Sequence, residues 1–298
     1  MSGPGFKVDR IDPVTITTPN RLAGMYVLSP FVWLQDGLHH LLVRAVPMRD
    51  DEPRLKMAEV WYGRSDDGLH FEMDSAPVIF PGPALSDIDG CEDPTVIVDQ
   101  GRLRVWYTGW NQAEMTGRLL LASGADAAHL EKVGVALDSC APFTNPKEAT
   151  VVAAGDDGWR LFFEYADHEA SLIGDAASVA LDGPWGSINQ SAIHPRPDNW
   201  DAWHLSPGPI VGAGGDRPVM FYNGATRDAK WRIGWAAFDP ELRHLVDRCE
   251  EPLIVPDALE GDATDIAFAA SAVEADGRIA LYYSLSDRAL HRAMISPA

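Results

Sequence analysis

Cysteine is scarce in this sequence: Cys91, Cys140 and Cys249 are the only three in 298 residues. They are odd in number, far apart and without metal-type spacing, so they cannot all pair within one chain, and a reducing compartment is the simpler expectation. Basic residues are also in deficit, with 24 Lys and Arg against 44 Asp and Glu, a formal net charge of −20. Nucleic acid and anionic membrane surfaces both need positive charge for attraction, so neither is expected as a partner, and a neutral ligand suits the chain better. No apolar run approaches the length of a membrane span, and the opening MSGPGFKVDRIDPV has no apolar leader core, which points to the cytoplasm. Helical periodicity is missing from every long segment, and the 22 prolines and 26 glycines punctuate turns. There is no phosphate-cradling glycine loop and no GxSxG nucleophile elbow. The nine histidines include the adjacent pair His39–His40, but neighbours on a strand point to opposite faces and make poor co-ligands. No metal or cofactor is implied.

What the chain does have is a repeat. Its 46% apolar and 23% charged content are those of an ordinary soluble globule, long enough to bury a core without staples. Five segments share a tight turn followed by an apolar, aromatic strand: DGLHHLLVRAV (36–46), GRLRVWYTGW (101–110), DGWRLFFEYAD (157–167), RPVMFYNGATRD (217–228) and GRIALYYSLSD (277–287). Their turns lie near Gly37, Gly101, Gly158, Asp216 and Gly277, at intervals of 64, 57, 58 and 61 residues. Each is preceded by a partner strand, as in SPFVWLQ (29–35) and DPTVIVD (93–99), and the two read as a hairpin. A third strand follows, for example GRLLLASG (117–124) and AASVAL (176–181), and a weaker fourth apolar run comes next, APVIF (76–80) and EPLIVP (251–256). Four short antiparallel strands, repeated five times, predict an all-β, five-bladed β-propeller spanning 1–298 as a single domain. Phe6–Ile16 are expected to add the outer strand of the last blade and close the ring. Trp61, Trp106 and Trp235, in mid-strand, are expected between blades.

In a propeller the innermost strands converge on a central channel, so residues at their starts face one another. Those starts supply Ser29 and Pro30 with Arg44 alongside; Glu92 and Asp93; Lys147 and Glu148 with Glu164 and Tyr165; Trp203, His204 and Ser206 with Tyr222 and Asn223; and Asp262 and Asp265 with Tyr282 and Tyr283. Carboxylates, aromatics and one or two cations around one mouth suit a sugar, whose apolar faces stack on rings and whose hydroxyls bond to carboxylates. Each residue also has a plainer reading. Asp93 before Pro94 makes an ordinary Asx turn, Glu148 and Glu164 could be solvated rim charges, His204 a structural hydrogen-bonding group, and Asp265 a turn residue.

These same segments resemble glycoside hydrolase family 130, the β-mannoside phosphorylases and related mannosidases. The resemblance runs along nearly the whole chain: DGLHHLLVRAV, then CEDPTVIVDQGRLRVWYTGW (91–110), SPGPIVGAGGDRPVMFYNGA (206–225), WRIGWAAFD (231–239), EPLIVP and TDIAFAASAVEADGRIALYYSLSD (264–287). It implies an inverting attack on a β-mannosidic bond, with Asp93 of the Glu-Asp-Pro motif as general acid acting through a substrate hydroxyl. It also implies phosphate as nucleophile in the phosphorylases, held by basic residues. At those places this sequence departs from the family pattern, with Thr95 where Arg is usual, Asn223 in place of His, and Glu164-Tyr165-Ala166 in place of His-Arg-Pro. Losing these donors leaves phosphate poorly compensated, so hydrolysis is expected, with Glu148 or Glu164 as base and Arg44, His204, Tyr222, Asn223 and Asp265 binding a small carbohydrate. Three alternatives remain at this point: a phosphorylase using Arg227, Lys230 and Arg232, a propeller that binds sugar or protein without catalysis, and a scaffold that hosts some unrelated chemistry.

Overall fold

Second strands in this chain carry consecutive large apolar residues, such as Leu41–Leu42–Val43, Val105–Trp106–Tyr107 and Leu161–Phe162–Phe163, where a one-sided sheet would alternate. The computed structural model, which describes residues 5–18, 20–47, 57–256, 265–275 and 277–298, explains the pattern. Each blade is covered on both faces by its neighbours. Leu41 and Val43 enter the cluster between blades one and five, and Leu42 enters that between blades one and two. Tyr107 packs toward blade one and Trp106 toward blade three. Phe163 and Phe162 divide in the same way between the two sides of blade three.

The fold is all-β, a five-bladed propeller whose blades are antiparallel and run outward in chain order. Blade one comprises Met25–Gln35, Leu38–Pro47, Glu59–Ser65 and His70–Met73. Blade two comprises Gly90–Asp99, Arg102–Asn111, Thr116–Gly124 and Glu131–Leu137, and blade three Thr144–Ala153, Trp159–Asp167, Ala170–Ser178 and Gly186–Gln190. Blade four is broken into short pieces, beginning with His204–Ser206 and Ile210–Val211 and ending with Leu245–Arg248. Blade five is Ala267–Ala275, Arg278–Leu285 and Ala289–Pro297, completed by the N-terminal strand Phe6–Thr17. That strand pairs antiparallel with Ala289–Pro297, then continues parallel to the outer strand of blade one through Thr15–Thr17 and His70–Glu72. The ring is thus closed by both chain ends, and the Ala298 amide donates to the Gly5 carbonyl at 2.7 Å. Trp61, Trp106 and Trp235 are buried between blades, as the sequence predicts.

Two expectations about the outer strands are corrected. The runs 76–80 and 251–256 are not the fourth strands of their blades, which lie at His70–Met73 and Leu245–Arg248. Both runs are flanked by proline, which cannot donate to a ladder, and each makes a single bridge to a third strand, Val60–Ile79 and Ile233–Ile254. The third strand of blade three lies at Ala170–Ser178, ahead of the run expected at 176–181. Among the described residues no helix is long and apolar enough to cross a membrane.

The inner strands share a second feature. Pairing slips between Leu28 and Phe31, Glu92 and Thr95, Lys147 and Thr150, and Ala269 and Ser271, so a bulge recurs at the same level in four blades. In the first three the extra residue is Ser29, Asp93 or Glu148, each at φ near +50°, a conformation that costs of order 1 kcal/mol or more outside glycine. In blade four the level is held by Pro207–Gly208–Pro209, where a Cβ on Gly208 would lie 1.9 Å from the Phe221 carbonyl oxygen.

Around these bulges runs a belt of interblade hydrogen bonds. Ser29 Oγ donates to Asp93 Oδ1 at 2.7 Å, Thr95 Oγ1 to the Ala149 carbonyl, and Thr150 Oγ1 to the Gly208 carbonyl at 3.0 Å. Asn223 Nδ2 donates to the Ala269 carbonyl at 3.1 Å, and the Ala269 amide donates back to Asn223 Oδ1 at 2.7 Å. Ser271 Oγ donates to the Pro30 carbonyl at 2.8 Å and accepts from the Val32 amide. All five junctions are spanned, and most of these bonds satisfy buried polar groups.

Candidate active site

The bulges aim side chains at the mouth of the channel. There a pocket of about 160 Å³ is lined by Arg44 and Ser29 from blade one, Lys147, Glu148 and Glu164 from blade three, Trp231 from blade four, and Phe268, Ser284 and Asp287 from blade five. Blade two contributes from behind. Glu92 and Asp93 are both buried and bind the Arg44 guanidinium at 3.0 and 3.1 Å. Lys147 Nζ lies 3.0 Å from Glu164 Oε1. Two cations therefore stand among four carboxyl groups.

The electrostatics separate those carboxyls. Burial pushes the Asp93 carboxyl up, but the Arg44 charge, the Ser29 hydroxyl and Lys147 outweigh it and hold Asp93 below the ordinary carboxylate value. Burial also pushes Glu148 up, and there the Asp93 and Glu164 charges reinforce it, leaving Glu148 well above its ordinary value despite Lys147 and Arg44. Burial opposes the charge on Arg44, yet Glu92 and Asp93 keep it raised. Lys147 is raised chiefly by Glu164. Paired carboxyls driven apart in this way are suited to acid and base duties at one pH.

One wall is aromatic. Trp231 meets Phe268 edge to face at 5.2 Å between ring centroids, and the His204 ring lies 5.6 Å from that of Trp231, tilted by 31°. His204 Nδ1 accepts from the Ser171 amide at 3.1 Å, and burial lowers the ring's basicity. Asp265 stands next to this wall, paired with Arg232 at 2.7 Å, its carbonyl accepting from the Trp231 amide.

Of the residues expected to make the site, Arg44, Asp93, Glu148 and Glu164 are brought together, and His204 and Asp265 border it. Tyr222 and Asn223 are not in it. Tyr222 is fully buried, its hydroxyl donating to Asp201 Oδ2 at 2.6 Å, and Asn223 is spent on the junction between blades four and five. Asp262 lies outside the described residues. Trp231 and Phe268 were missed, because an aromatic near a strand end is indistinguishable in sequence from interblade core. Among the described residues no group of three or more His, Cys, Asp or Glu is arranged to hold a metal.

A closed five-bladed ring with clustered carboxyls beside an aromatic wall is a geometry that suits a carbohydrate ligand. The sequence profile of the family described as β-1,4-mannooligosaccharide phosphorylase matches residues 24–296, and the chain belongs to glycoside hydrolase family 130. Members of that family are carbohydrate-active enzymes, phosphorylases and hydrolases among them. Solved structures share the fold. β-1,2-Mannobiose phosphorylase from Listeria innocua, in complex with β-1,2-mannobiose, superposes with a TM-score of 0.78 at 18% identity, over 93% of this chain and 92% of that one. A second, with a TM-score of 0.77 at 21% identity over 98% and 94%, was reported with the statement that this family of mannoside phosphorylases contains glycoside hydrolases that target β-1,2 mannosidic linkages in Candida mannan. A glycosyl hydrolase from Bacteroides ovatus gives 0.75 at 20% identity over the same shares. No curated protein matches the chain in sequence.

Proposed function

We propose that this protein is a glycoside hydrolase that cleaves a small β-mannoside or related glycoside with inversion, the whole chain serving as one catalytic domain. Asp93, Glu148 and Glu164 supply the proton chemistry, Arg44 fixes Asp93 and Glu92, and Trp231 and Phe268 offer faces on which a sugar ring stacks.

The observation that carries hydrolysis over phosphorolysis is the state of the cations. Arg44 and Lys147, at the pocket, are each bound to carboxyls at 3.0–3.1 Å. The three cations open to a phosphorylase are engaged as well: Arg227 with Glu169, Lys230 with Asp228 and Arg232 with Asp265. A phosphate entering this mouth meets an excess of carboxyls, and one unit charge about 5 Å from another contributes about 3 kcal/mol of repulsion at an effective dielectric of 20. Water needs no such compensation.

Release of mannose from β-mannobiose, followed as phosphate is raised from zero to high millimolar, tests the proposal. The expected rate is independent of phosphate, with no sugar 1-phosphate formed. Phosphate-dependent turnover would overturn hydrolysis in favour of phosphorolysis, and silence under both conditions across a panel of glycosides would favour a propeller that only binds.

A further inference from the structure

We propose that the cleft between blades three and four, toward the end of the ring opposite the catalytic pocket, is a second saccharide site that holds a neutral sugar without cleaving it. Such a site follows from the carbohydrate reading proposed above and is independent of whether water or phosphate attacks in the channel.

The cleft begins where apolar packing between these two blades stops. Phe162 meets Phe238 of blade four at 5.8 Å between ring centroids, and both belong to the shared core. Side chains two apart on a strand share a face, so Arg160 continues the row that Phe162 begins. Asp175 is paired across from Phe162, and Asn189 across from Asp175, which carries the same face outward. Polar residues thus stand where a covered blade face needs apolar ones. A cavity of about 430 Å³ opens there, its lining including Arg160, Asp175, Asn189, Gln190, His194 and, from blade four, Arg243. It is larger than the catalytic pocket and falls within the roughly 300–1,000 Å³ of small-molecule sites. Arg160 stands roughly 13 Å along its strand from Glu164, so a sugar seated here is out of reach of the channel's carboxyls.

The repeat offers a control. Arg104 and Arg160 are equivalent, each directly preceding an apolar triplet, Val105–Trp106–Tyr107 or Leu161–Phe162–Phe163. At the junction of blades two and three, Arg104 Nε donates across the gap to Asp182 Oδ1 at 2.6 Å, and Nη1 donates to Ser123 Oγ at 3.2 Å. Arg160 Nε reaches only a backbone oxygen of blade four, the Glu241 carbonyl at 3.1 Å, and Nη1 turns to Asp175 of its own blade at 2.6 Å. Its Nη2 makes no hydrogen bond among the described residues, so two N–H donors of a buried guanidinium remain for the cavity.

Charge selects the ligand. Arg160 is balanced by Asp175, and Arg243 by Asp157, each at 2.6 Å, so the cleft has no surplus positive charge for an anion. Burial pushes the Asp175 carboxyl up while Arg160 and Arg243 oppose it, which sets both guanidinium groups beside the same acid. The groups left unspent are neutral. The Gln190 amide and the His194 ring make no hydrogen bond among the described residues, and Asn189 spends one on the Ser187 carbonyl at 2.6 Å. An Arg–Asp pair flanked by amides offers donors and acceptors side by side, which matches sugar hydroxyls, each able to donate and to accept. A neutral sugar fits where phosphate does not.

Isothermal titration with S-linked β-mannobiose, which is bound but not cleaved, tests the site. The wild type should show two binding events, one in the channel and one in the cleft. The double variant Asn189→Ala/Gln190→Ala alters only exposed side chains. It should weaken the cleft event by about tenfold or more and leave the channel event, and kcat on β-mannobiose, unchanged. Arg160→Lys keeps a cation for Asp175 but removes the planar fork, and should weaken the same event alone. Trp231→Ala should do the reverse, weakening the channel event and sparing the cleft. If no heat in the wild type is removed by the cleft variants, the second site is refuted. Inorganic phosphate titrated alone decides the ligand class, because a phosphate signal that Arg160→Lys abolishes would make the cleft an anion site and defeat the neutral-sugar assignment. Should Arg160→Lys fail to fold, the exposed pair still decides, for the sugar and for phosphate alike. A channel event that is absent while the cleft event persists counts against the mannoside hydrolase reading alone, so the two proposals fail separately.

Discussion

Replacing Arg44 with methionine probes the pivot of the site. Arg44 is the shared partner of Glu92 and Asp93, at 3.0 and 3.1 Å, with its own side chain 13% exposed and theirs 7% and 2%. Methionine keeps much of the apolar stem and removes the charge, leaving two buried carboxyls without their cation. At an effective dielectric of 20, two unit charges about 3 Å apart interact by roughly 5 kcal/mol, and breaking a buried pair by removing one partner costs about 3–5 kcal/mol. The expected destabilisation is in that range, a fall in Tm on the order of 10 °C for a chain of this size. Its pH dependence distinguishes lost charge from lost packing. In the wild type Asp93 is held below its unfolded value, so its contribution is present above the unfolded carboxyl pKa and is lost as pH falls through the folded one. In Arg44→Met burial dominates and Asp93 rises, so the variant is worst off at neutral pH and recovers as the carboxyl protonates. Melts by differential scanning fluorimetry from pH 7 down to pH 4 should show the gap between the two proteins narrowing. A gap that is constant, or that widens toward acid, would refute the electrostatic account and assign the loss to packing.

Tyr222→Phe and Asn223→Ala test whether those residues belong to the scaffold or to the substrate. Tyr222→Phe removes two hydrogen bonds, one donated to an Asp201 that Arg196 and Arg248 still hold and one accepted from Arg248 Nε, so about 1–3 kcal/mol of stability is lost with KM unchanged. Asn223→Ala strips three buried partners of their bonds and should cost at least about 2 kcal/mol in denaturant melts; a raised KM without destabilisation in either variant contradicts the scaffold role. Trp231→Ala should do the converse, raising KM severalfold in steady-state assays while the far-ultraviolet spectrum is preserved. An unaffected KM would remove the aromatic wall from the site.

The ring was legible because its cause is written into every repeat. A blade covered on both faces needs large apolar residues at consecutive positions, and Val105–Trp106–Tyr107 or Leu161–Phe162–Phe163 at even spacing has few other uses. The closing strand was legible for the same reason, as a stretch without a hairpin partner ahead of the first repeat. Blade four was only partly so. Pro207, Pro209 and Pro218 remove ladder donors there, and the strands break into pairs of two or three residues. Of the residues expected at the mouth, Arg44, Asp93, Glu148 and Glu164 do lie together, but their roles are obscure in the sequence, and the bulge is why. Side chains on a strand alternate faces, and one extra residue resets that alternation, so that Lys147 and Glu148 both line the pocket while Glu92 and Asp93 both lie behind it against Arg44. Nothing in Glu-Asp-Pro or Lys-Glu-Ala states where the slip falls. Tyr222 and Asn223 were misread for a related reason: their hairpin strand does flank the inner one, but Asp201 arrives from the preceding loop and captures the tyrosine, while Asn223 faces blade five across the junction. Proton placement lies further still from the sequence. Asp93 and Glu148 stand at equivalent bulges with nearly equal φ, and what separates them is that Arg44 and a serine hydroxyl from blade one bond directly to the first, while Arg44 acts on the second only through its charge. That difference comes from a neighbouring blade some fifty residues away in sequence, and it is the reason two like carboxyls in a repeat are pushed in opposite directions.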